Sequence, residues 1–342
     1  MWDKRPDMIV RNEAPFNAEP PAEVLAAGEI TDVHAFFTRN HGPFPDISPE
    51  KWKLTVGGLT EKPLTLTLDQ LKREFDATSV VATLACAGNR RAELLEVRAI
   101  PGKEPWAHGA ISTAEWRGVR LADVLDAAGV QHQDGLHVAF AAPDVAQEAR
   151  PVQSYGSSIP LSKAMSSEVL LAWEMNGQPL PRIHGGPVRV VVPGYIGARS
   201  VKWVSAITVQ PEPSENYFQA LDYRILPPEA DPDTASRGDG ISMSSLPLNC
   251  DILVPGDGAE IPAGPLTVRG WALAGGRAIS RVDVSLDEGH TWHQALLEPA
   301  ANRWTWRMWS LAVEVQPGPL HVTARAWDDT GVTHPESPAS LW

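Results

Sequence analysis

The N-terminal half of the chain is organised around the stretch Ser79-Val-Val-Ala-Thr-Leu-Ala-Cys-Ala-Gly-Asn-Arg-Arg91. Its first seven residues are mostly apolar or β-branched, which predicts a buried strand that ends just before Cys86. The two arginines that follow favour the thiolate form of a nearby thiol, and the small residues between let a ligand approach the backbone. A metal ligand, a nucleophile and a small buried hydrophobe all remain open for Cys86, whereas zinc lacks the required ligand spacing.

Short helices alternate with strands on both sides of this stretch. Thr67 and Gln70 have the spacing of a capping box, so a short helix is predicted to begin there. A second helix is predicted at 121–128, with Gly129 at its C′ position. Apolar or alternating residues predict strands at 52–56, 136–142, 170–174, 188–192 and 201–209. This mixture predicts an α+β domain, preceded by an irregular arm that extends to about Gly28.

The C-terminal part of the chain has a different pattern. Residues 210–240 are rich in Pro, Glu, Asp and Ser and predict a linker or a wrapping loop. Short alternating strands are then predicted at 266–271, 281–286, 304–311 and 320–327. Strands at this spacing predict an all-β, immunoglobulin-like sandwich. Trp304, Trp306 and Trp309 are expected in its core, or at a dimer interface where they are exposed. We therefore predict two domains, residues 1–237 and residues 238–342.

The composition argues against several classes of partner. The chain has 342 residues, with 29 Lys plus Arg against 42 Asp plus Glu, which gives a net charge of −13. Nucleic acids and anionic membranes require a basic surface, so neither is expected as a partner. The two cysteines are too few for a disulfide scaffold, and no stretch reaches the roughly 18 apolar residues of a membrane span. The first residues lack an apolar signal core, which predicts a cytoplasmic location, or a periplasmic one if a leader has been removed.

Two further segments are rich in cationic or hydrogen-bonding groups. Phe37-Thr-Arg-Asn-His-Gly-Pro43 predicts a polar loop that is dense in donors. Arg189 lies within an apolar predicted strand, and Lys202 lies in another, between Val201 and Trp203. A buried cation on a strand needs an anion beside it, whereas a cation on an edge strand protects that edge from aggregation. The two residues therefore predict either an anion site or two protected edges.

Several motifs occur in a set order along the chain. They are Phe37-Thr-Arg-Asn-His-Gly-Pro43, Ala85-Cys-Ala-Gly-Asn-Arg-Arg91, Glu174-Met-Asn-Gly-Gln-Pro-Leu-Pro181, Pro187-Val-Arg-Val-Val-Val-Pro-Gly194 and Gly197-Ala-Arg-Ser-Val-Lys-Trp203. Together they resemble the sulfite oxidase family of molybdenum enzymes. The opening Ala14-Pro-Phe-Asn-Ala-Glu-Pro-Pro21 is similar to the plant-type members, which lack a haem domain. The predicted sandwich resembles the dimerisation domain of that family.

The resemblance implies roles for individual residues. Cys86 matches the thiolate ligand of molybdenum, which the family holds in a molybdopterin. The residues that match cofactor contacts are Phe37, Thr38, Arg39, Asn40, His41, Asp144, His184, Arg189, Ser200, Val201 and Lys202. Arg39, Arg91 and Trp106 match the oxyanion pocket of the family, and Tyr223 matches its active-site tyrosine. A further arginine follows a Trp-Asn-Leu-Arg-Gly motif in the family, and this motif would begin at Trp342, the last residue of the chain.

The resemblance also implies an activity. A member of this family without haem would oxidise sulfite to sulfate by oxygen-atom transfer and pass the electrons to an external acceptor, either oxygen or a cytochrome. No haem-attachment motif occurs in the sequence, so no haem is expected. A symmetric homodimer is expected from the C-terminal domain. The alternatives are a related molybdenum enzyme that acts on nitrate or another small oxyanion, and a non-catalytic module.

Overall fold

The computed structural model describes residues 2–97, 99–100, 102–227, 230–231, 234–236 and 238–334. Its N-terminal part consists of two five-stranded sheets, a hairpin and short helices. In chain order the elements are β1 Ile9–Glu13, β2 Phe16–Glu19, α1 Ala22–Leu25, β3 Lys53–Gly58, β4 Leu64–Thr67, α2 Leu68–Glu74, β5 Ala77–Ala85, α3 Arg91–Leu94, β6 Ile111–Arg120, α4 Leu121–Ala127, β7 His137–Ala146, β8 Gln153–Pro160, α5 Leu161–Ala164, β9 Leu170–Met175, β10 Gln178–Pro179, β11 Arg189–Val191 and β12 Ala206–Gln210.

Both sheets of this part contribute to the site described below. The first runs in the order β10-β9-β6-β5, with β11 also paired to β9, and its pairings are antiparallel. The second runs in the order β4-β3-β12-β7-β8 and contains one parallel pair, β12 with β3. A continuous apolar core joins them, with Leu54 and Val138 from the second sheet and Leu171 from the first. In the described part of the chain, no helix has the length and apolar character needed to cross a membrane.

The local predictions around the central stretch are confirmed. The Thr67 hydroxyl accepts a hydrogen bond from the Gln70 amide at 3.2 Å, and the Thr67 amide donates to the Gln70 side chain at 3.0 Å. This capping box starts α2 at Leu68. Helix α4 is followed by Gly129, whose φ of +70° is the left-handed conformation that glycine adopts without strain. Strand β5 ends at Ala85, so Cys86 is the first residue beyond it.

Two of the predictions are wrong. The opening segment is an antiparallel hairpin of β1 and β2 rather than an irregular arm, because Pro15 lies in the turn and Pro20 follows the second strand, where neither interrupts the hydrogen bonds. The strand predicted at 201–209 begins only at Ala206, so Lys202 lies in a turn. Trp203 has a φ of +51°, which breaks the extended backbone that a strand requires.

The C-terminal part contains two smaller sheets. Residues 210–240 form more than a plain linker, since they include a π-helical turn at Phe218–Asp222 and the first strand of a hairpin. The elements are β13 Arg224–Ile225, β14 Ile241–Ser242, β15 Asn249–Val254, β16 Gly264–Leu273, β17 Ile279–Ser285, β18 His293–Gln294, β19 Leu296–Leu297, β20 Arg307–Val315 and β21 Thr323–Asp328. The sheets β15-β16-β20-β19 and β18-β17-β21 share an apolar cluster that includes Val268, Val282 and Trp309.

The N-terminal and C-terminal parts pack together through tryptophans. Trp309 lies between the C-terminal sheets as predicted, but Trp306 packs beside Trp271 in the N-terminal core, with ring centroids 6.2 Å apart. Trp304 also lies at this contact, where its carbonyl accepts from the Thr83 amide at 3.0 Å, and the Trp306 amide donates to the Thr83 hydroxyl at 2.8 Å. These bonds cover β5, which is the edge strand of its sheet. The edge position of β5 explains why Trp306 faces the other domain.

Charged side chains join the loop after Cys86 to the C-terminal part. Arg90 donates to the two carboxylate oxygens of Glu93 at 2.7 and 2.6 Å and to the side-chain oxygen of Asn249 at 2.8 Å. Asp251 is 3% exposed and lies 2.9 Å from His108 Nδ1 and 3.6 Å from Arg90 Nε. The hydrogen bond with Asp251 raises the pKa of His108. The Arg90 guanidinium and the His108 imidazole therefore both contact one buried carboxylate between the domains.

Replacing Arg90 by methionine is expected to lower the free energy of unfolding by about 2 kcal/mol, because Asp251 and Glu93 would keep their charge without this partner. Urea unfolding at pH 7 measures the change. Arg73→Met is the matched control, since Arg73 pairs with Glu74 at an exposed site, and its effect is expected to stay within about 0.5 kcal/mol. Equal effects of the two substitutions would contradict a structural role for the Arg90 group.

Candidate functional site

An open cavity lies in the N-terminal part of the molecule. Its walls come from the loop between α1 and β3, the end of β5, the β7–β8 hairpin, β11 with the segments on both sides of it, and Tyr223. The lining residues are Phe36, Phe37, Thr38, Arg39, Asn40, His41, Leu84, Cys86, Ala87, Asp144, Tyr155, His184, Arg189, Gly197, Ala198, Ser200, Lys202 and Tyr223. Of the residues predicted for the site, Arg91, Trp106 and Val201 do not line it.

Cys86 reaches the cavity because β5 ends one residue before it. Its amide donates to the Ala110 carbonyl at 2.8 Å, which anchors the turn, and the Gly88 amide donates to its sulfur at 3.4 Å. A side chain at Gly88 would meet the guanidinium of Arg91 and would require that side chain to shift. Arg91 thus packs against the Cys86 loop, and its Nη1 donates to the Glu104 carbonyl at 2.7 Å.

Arg189 is the first of two buried cations in the cavity wall. It is 5% exposed, and its guanidinium donates to the carbonyls of His184 and Ser200 at 2.8 Å and of Val190 at 3.3 Å. No carboxylate of the described residues lies within ion-pair distance of it. Burial lowers the pKa of Arg189 to about 9. A buried guanidinium that is bonded only to neutral carbonyls favours binding of an anion.

Lys202 is the second buried cation. Its ammonium donates to the Arg39 carbonyl at 3.0 Å, to the Ile183 carbonyl at 3.3 Å and to the side-chain oxygen of Asn40. Burial and, to a smaller extent, the nearby Arg189 hold the pKa of Lys202 well below its usual value. Burial and the charge of Arg189 both disfavour the charged form of Lys202, and an anion bound in the cavity would counteract them.

Asp144 is the one carboxylate that lines the cavity within the described residues. Burial raises its pKa to about 6, and the charge of Lys202 counteracts part of that shift. Its Oδ1 atom is buried and has no hydrogen-bond partner among the residues that the structure describes. The wall therefore combines an excess of positive charge with an acceptor that is ready for an N–H or O–H donor.

The loop that carries Arg39 is held by carboxylates behind it. Arg39 Nη1 lies 3.5 Å from Glu104 Oε1, and Nη2 lies 3.2 Å from Glu148 Oε2. In the same loop the ring of Phe37 stacks on Phe36 with centroids 5.5 Å apart. The carboxylates fix the position of the guanidinium at the wall and offset part of its charge.

Tyr223 and His41 form a hydrogen-bonded pair in the cavity. The Tyr223 hydroxyl lies 3.1 Å from His41 Nε2, and the imidazole stacks on Phe218 with centroids 3.8 Å apart. Burial, followed by the charge of Arg39, lowers the pKa of His41 to about 3. Glu148 Oε2 lies 3.6 Å from Nδ1 and favours a proton on that nitrogen. His41 is therefore neutral near pH 7, and its Nε2 accepts a hydrogen bond from the Tyr223 hydroxyl.

The pKa of His41 predicts a loss of stability on acidification. The folded-state value of about 3 lies below the usual 6.5, so below pH 6.5 the unfolded chain binds a proton that the folded chain does not. This stabilisation is present above pH 6.5 and is lost as the pH falls towards 3. Between pH 7 and pH 5 the loss from this one group is expected to be about 2 kcal/mol.

Urea unfolding of the cofactor-free protein at the two pH values tests this expectation. His41→Asn should lose about 2 kcal/mol less than the wild-type protein between pH 7 and pH 5. His132→Asn, at a side chain that is 64% exposed, should retain the wild-type pH dependence. If His41→Asn and wild type lost the same stability between pH 7 and pH 5, His41 would take up its proton in the folded state, and the expectation would be contradicted.

Two of the residues predicted for the site support the cavity from behind. Val201 is 1% exposed in the N-terminal core, and its carbonyl accepts from the Val190 amide at 2.8 Å. Trp106 is fully buried in an apolar cluster with Cys86, and its indole N–H has no hydrogen-bond partner. Trp342, where the Trp-Asn-Leu-Arg-Gly motif would begin, lies outside the described residues.

The sequence reasoning missed three residues of the site region. Tyr155 lines the cavity and donates to the Ala198 carbonyl at 2.9 Å. Glu148 holds Arg39, and Lys4 Nζ lies 2.6 Å from His184 Nε2. None of the three belongs to a local motif. Their positions follow from the β7–β8 register and from the path of the N-terminal residues, which a single sequence does not reveal.

Comparison with known proteins reveals the family of the chain. Residues 41–218 match the model of the oxidoreductase molybdopterin binding domain, and residues 241–342 match the Mo-co oxidoreductase dimerisation domain. A sulfite oxidase of Arabidopsis thaliana is 36% identical over 99% of this chain and 91% of its own length. The chain belongs to the sulfite oxidase family.

A second relative and a solved structure agree with the assignment to the sulfite oxidase family. The human mitochondrial sulfite oxidase is 44% identical over 99% of this chain, which spans 63% of the length of that relative. Among solved structures, the sulfane dehydrogenase SoxCD from Paracoccus pantotrophus has a TM-score of 0.82 and 29% identity, and the match covers 96% of this chain and 79% of that chain. The cavity residues from His41 to Lys202 fall within the segment matched to the molybdopterin-binding domain.

Proposed function

We propose that this protein is a molybdenum oxidoreductase that oxidises sulfite to sulfate. With water as the oxygen source, each sulfite releases two electrons and two protons, and the electrons pass to an external acceptor, either oxygen or a cytochrome. One observation carries the proposal: a single cavity contains the Cys86 thiol and the two buried cations Arg189 and Lys202. A thiol suits a soft metal, and the cations suit the anionic end of a cofactor.

The residues of the cavity fit a molybdopterin that carries molybdenum. Cys86 would bind the metal, while Arg189 and Lys202 would bind the phosphate; among the described residues no carboxylate lies within ion-pair distance of Arg189. The free Oδ1 of Asp144 would accept from an N–H group of the pterin, and Phe37 to His41 would lie along it. When bound, this group supplies oxygen-atom transfer and takes up the two electrons. No haem is proposed for this chain.

The substrate would bind at the end of the cavity that Arg39 and Tyr223 line. Arg39 attracts the sulfite dianion and offsets its charge, and its two carboxylate partners keep it in place. The Tyr223 hydroxyl donates to neutral His41, so its oxygen is free to accept a hydrogen bond from water or product. Arg91 would add charge from behind the Cys86 loop, and Trp106 would keep that loop rigid and dry.

A sulfite assay with parallel acceptors tests the proposal. We expect sulfite-dependent reduction of ferricyanide, of cytochrome c or of oxygen by the loaded protein, and no consumption of nitrate with a reduced dye. Turnover of nitrate but not of sulfite would favour the alternative oxyanion. Protein that contains a full complement of molybdenum and turns over neither anion would overturn the proposal.

The domain limits and the assembly belong to the same proposal. We propose that residues 1–237 bind the cofactor and that residues 238–342 form an immunoglobulin-like domain that pairs with its copy in a homodimer. The match to a dimerisation domain supports the pairing. Light scattering should give a mass of twice 37.1 kDa at all concentrations, whereas a constant mass of one chain would contradict the homodimer.

The cytoplasmic location remains a prediction, which cell fractionation tests.

A further inference from the structure

Lys4 is a partly buried lysine that contacts His184 in the wall of the cavity. Its ammonium donates to the carbonyls of Val33 at 2.7 Å and Phe36 at 2.8 Å and lies 2.6 Å from His184 Nε2. An ammonium has three N–H donors, so these contacts use all of them. Lys4 therefore links the loop that enters the cavity to a histidine in the cavity wall.

The backbone around Lys4 is held against the same loop. Residues 2–8, here called the N-terminal strap, lie over residues 33–44. The Arg5 amide donates to the His34 carbonyl at 3.1 Å, and the ring of Trp2 meets Phe44 edge to face at 4.2 Å. Met8 is buried in a small apolar cluster with Ile183. Contacts on both sides of Lys4 thus fix the point from which its side chain extends.

The contact with Lys4 affects both the pKa and the tautomer of His184. Burial, with the charge of Lys4 next in effect, holds the pKa of His184 well below its usual value, so the imidazole is neutral. An ammonium donates and does not accept, which leaves Nε2 as the acceptor and places the imidazole proton on Nδ1. His184 lines the cavity and is 2% exposed.

Charge also connects Lys4 to an anion in the cavity. Burial lowers the pKa of Lys4 to about 7, and the carboxylates of Asp32 and Asp3 offset part of the effect. An anion bound at Arg189 and Lys202 would favour the charged form of Lys4 and would itself be stabilised by that charge.

We propose that Lys4 is a positioning residue of the cofactor site, which holds His184 as the Nδ1–H tautomer and adds a positive charge behind the anion-binding wall. This inference rests on the proposed function, because it assumes that the cavity holds a molybdopterin. No motif of the sequence indicates Lys4, which is separated by 180 residues from the histidine that it contacts.

Retention of the cofactor tests the proposal without reference to activity. Molybdenum and oxidised, fluorescent pterin are measured per chain during dialysis of loaded protein. Lys4→Met should lose both about tenfold faster than wild type, since a charge-assisted hydrogen bond is removed. Arg5→Met is the matched control, because Arg5 is an exposed partner of Asp7 in the same strap, and it should lose cofactor at the wild-type rate. Equal loss from Lys4→Met and wild type would overturn the proposal.

The tautomer of His184 provides a readout that general loosening of the strap would not produce. Nitrogen NMR of loaded wild type at pH 6, with His184→Asn for assignment, should show a proton on Nδ1 and a bare Nε2. In Lys4→Gln, which still donates to the carbonyls, the two tautomers should mix. A proton on Nε2 in wild type would overturn the proposal even if both variants fail to fold. Wild-type protein that contains neither pterin nor molybdenum after loading would instead refute the proposed function.

Discussion

Sulfite oxidation is expected to fall by about 10³-fold or more when Cys86 is replaced by serine, the scale seen when a group at the reacting centre is removed. A serine hydroxyl is nearly the same size, so the turn at the end of β5 keeps its shape. The serine hydroxyl remains protonated at neutral pH, and it offers a hard oxygen where molybdenum prefers a soft sulfur. Initial rates with ferricyanide as acceptor, normalised to molybdenum content, measure the effect.

The second cysteine provides the matched control for this experiment. Cys250 is 3% exposed in the core of the C-terminal sheets, and burial raises its pKa to about 12. Cys250→Ser should therefore cost stability but leave the rate per molybdenum within about twofold of wild type. A Cys86→Ser protein that keeps more than a tenth of the wild-type rate would contradict the role assigned to the thiolate.

Replacing Arg189 by methionine is expected to weaken retention of the cofactor by about 100-fold, because truncation of one partner of a buried charge pair costs about 2–5 kcal/mol. Among the described residues the Arg189 guanidinium donates only to carbonyls, so its charge is available to an anionic phosphate. Arg189→Lys keeps the charge but not the planar fork, and an intermediate loss is expected. Pterin and molybdenum per chain, measured through successive dilutions, report the affinity.

Arg117→Met is the control that removes the same charge from the same sheet. Arg117 lies on β6, is about half exposed and pairs with Glu174 at 3.2 Å. The net charge of the protein changes equally in both variants, so any difference between them arises from position. If Arg189→Met retains as much cofactor as Arg117→Met, Arg189 does not bind the phosphate.

The parts of the site that the sequence predicts well are those set by local chemistry. Cys86 is placed by the end of an apolar strand, and the capping box at Thr67 needs only the residues of its own turn. Arg189 is conspicuous because a cation within an apolar strand requires an anion. Lys202 lines the same cavity, but from a turn, because the strand predicted at 201–209 begins only at Ala206.

The parts that the sequence misses depend on contacts between distant segments. Lys4 and Glu148 carry no local signal, and only the folded chain brings them to His184 and Arg39. Trp306 has the alternation of a sandwich strand, yet it faces the other domain because β5 exposes an edge there. Periodicity predicts that a side chain is buried, but it does not identify the surface against which the side chain packs.

Arg91 and Trp106 illustrate a limit of motif matching. Both match residues of the oxyanion pocket in the sulfite oxidase family, but neither lines the cavity. Arg91 packs on Gly88 and donates to a carbonyl, and Trp106 is fully buried beside Cys86. The motif identifies residues that surround the thiol, and the fold decides which of them line the cavity.

The sulfur neighbours of molybdenum, counted by X-ray absorption, test the central claim most directly. The dithiolene of a molybdopterin supplies two sulfurs, and the thiolate of Cys86 should add a third in loaded wild-type protein. Cys86→Ser should have one sulfur neighbour fewer, while Cys250→Ser should match wild type. An unchanged sulfur count in Cys86→Ser would contradict the claim that this cavity holds the cofactor through Cys86.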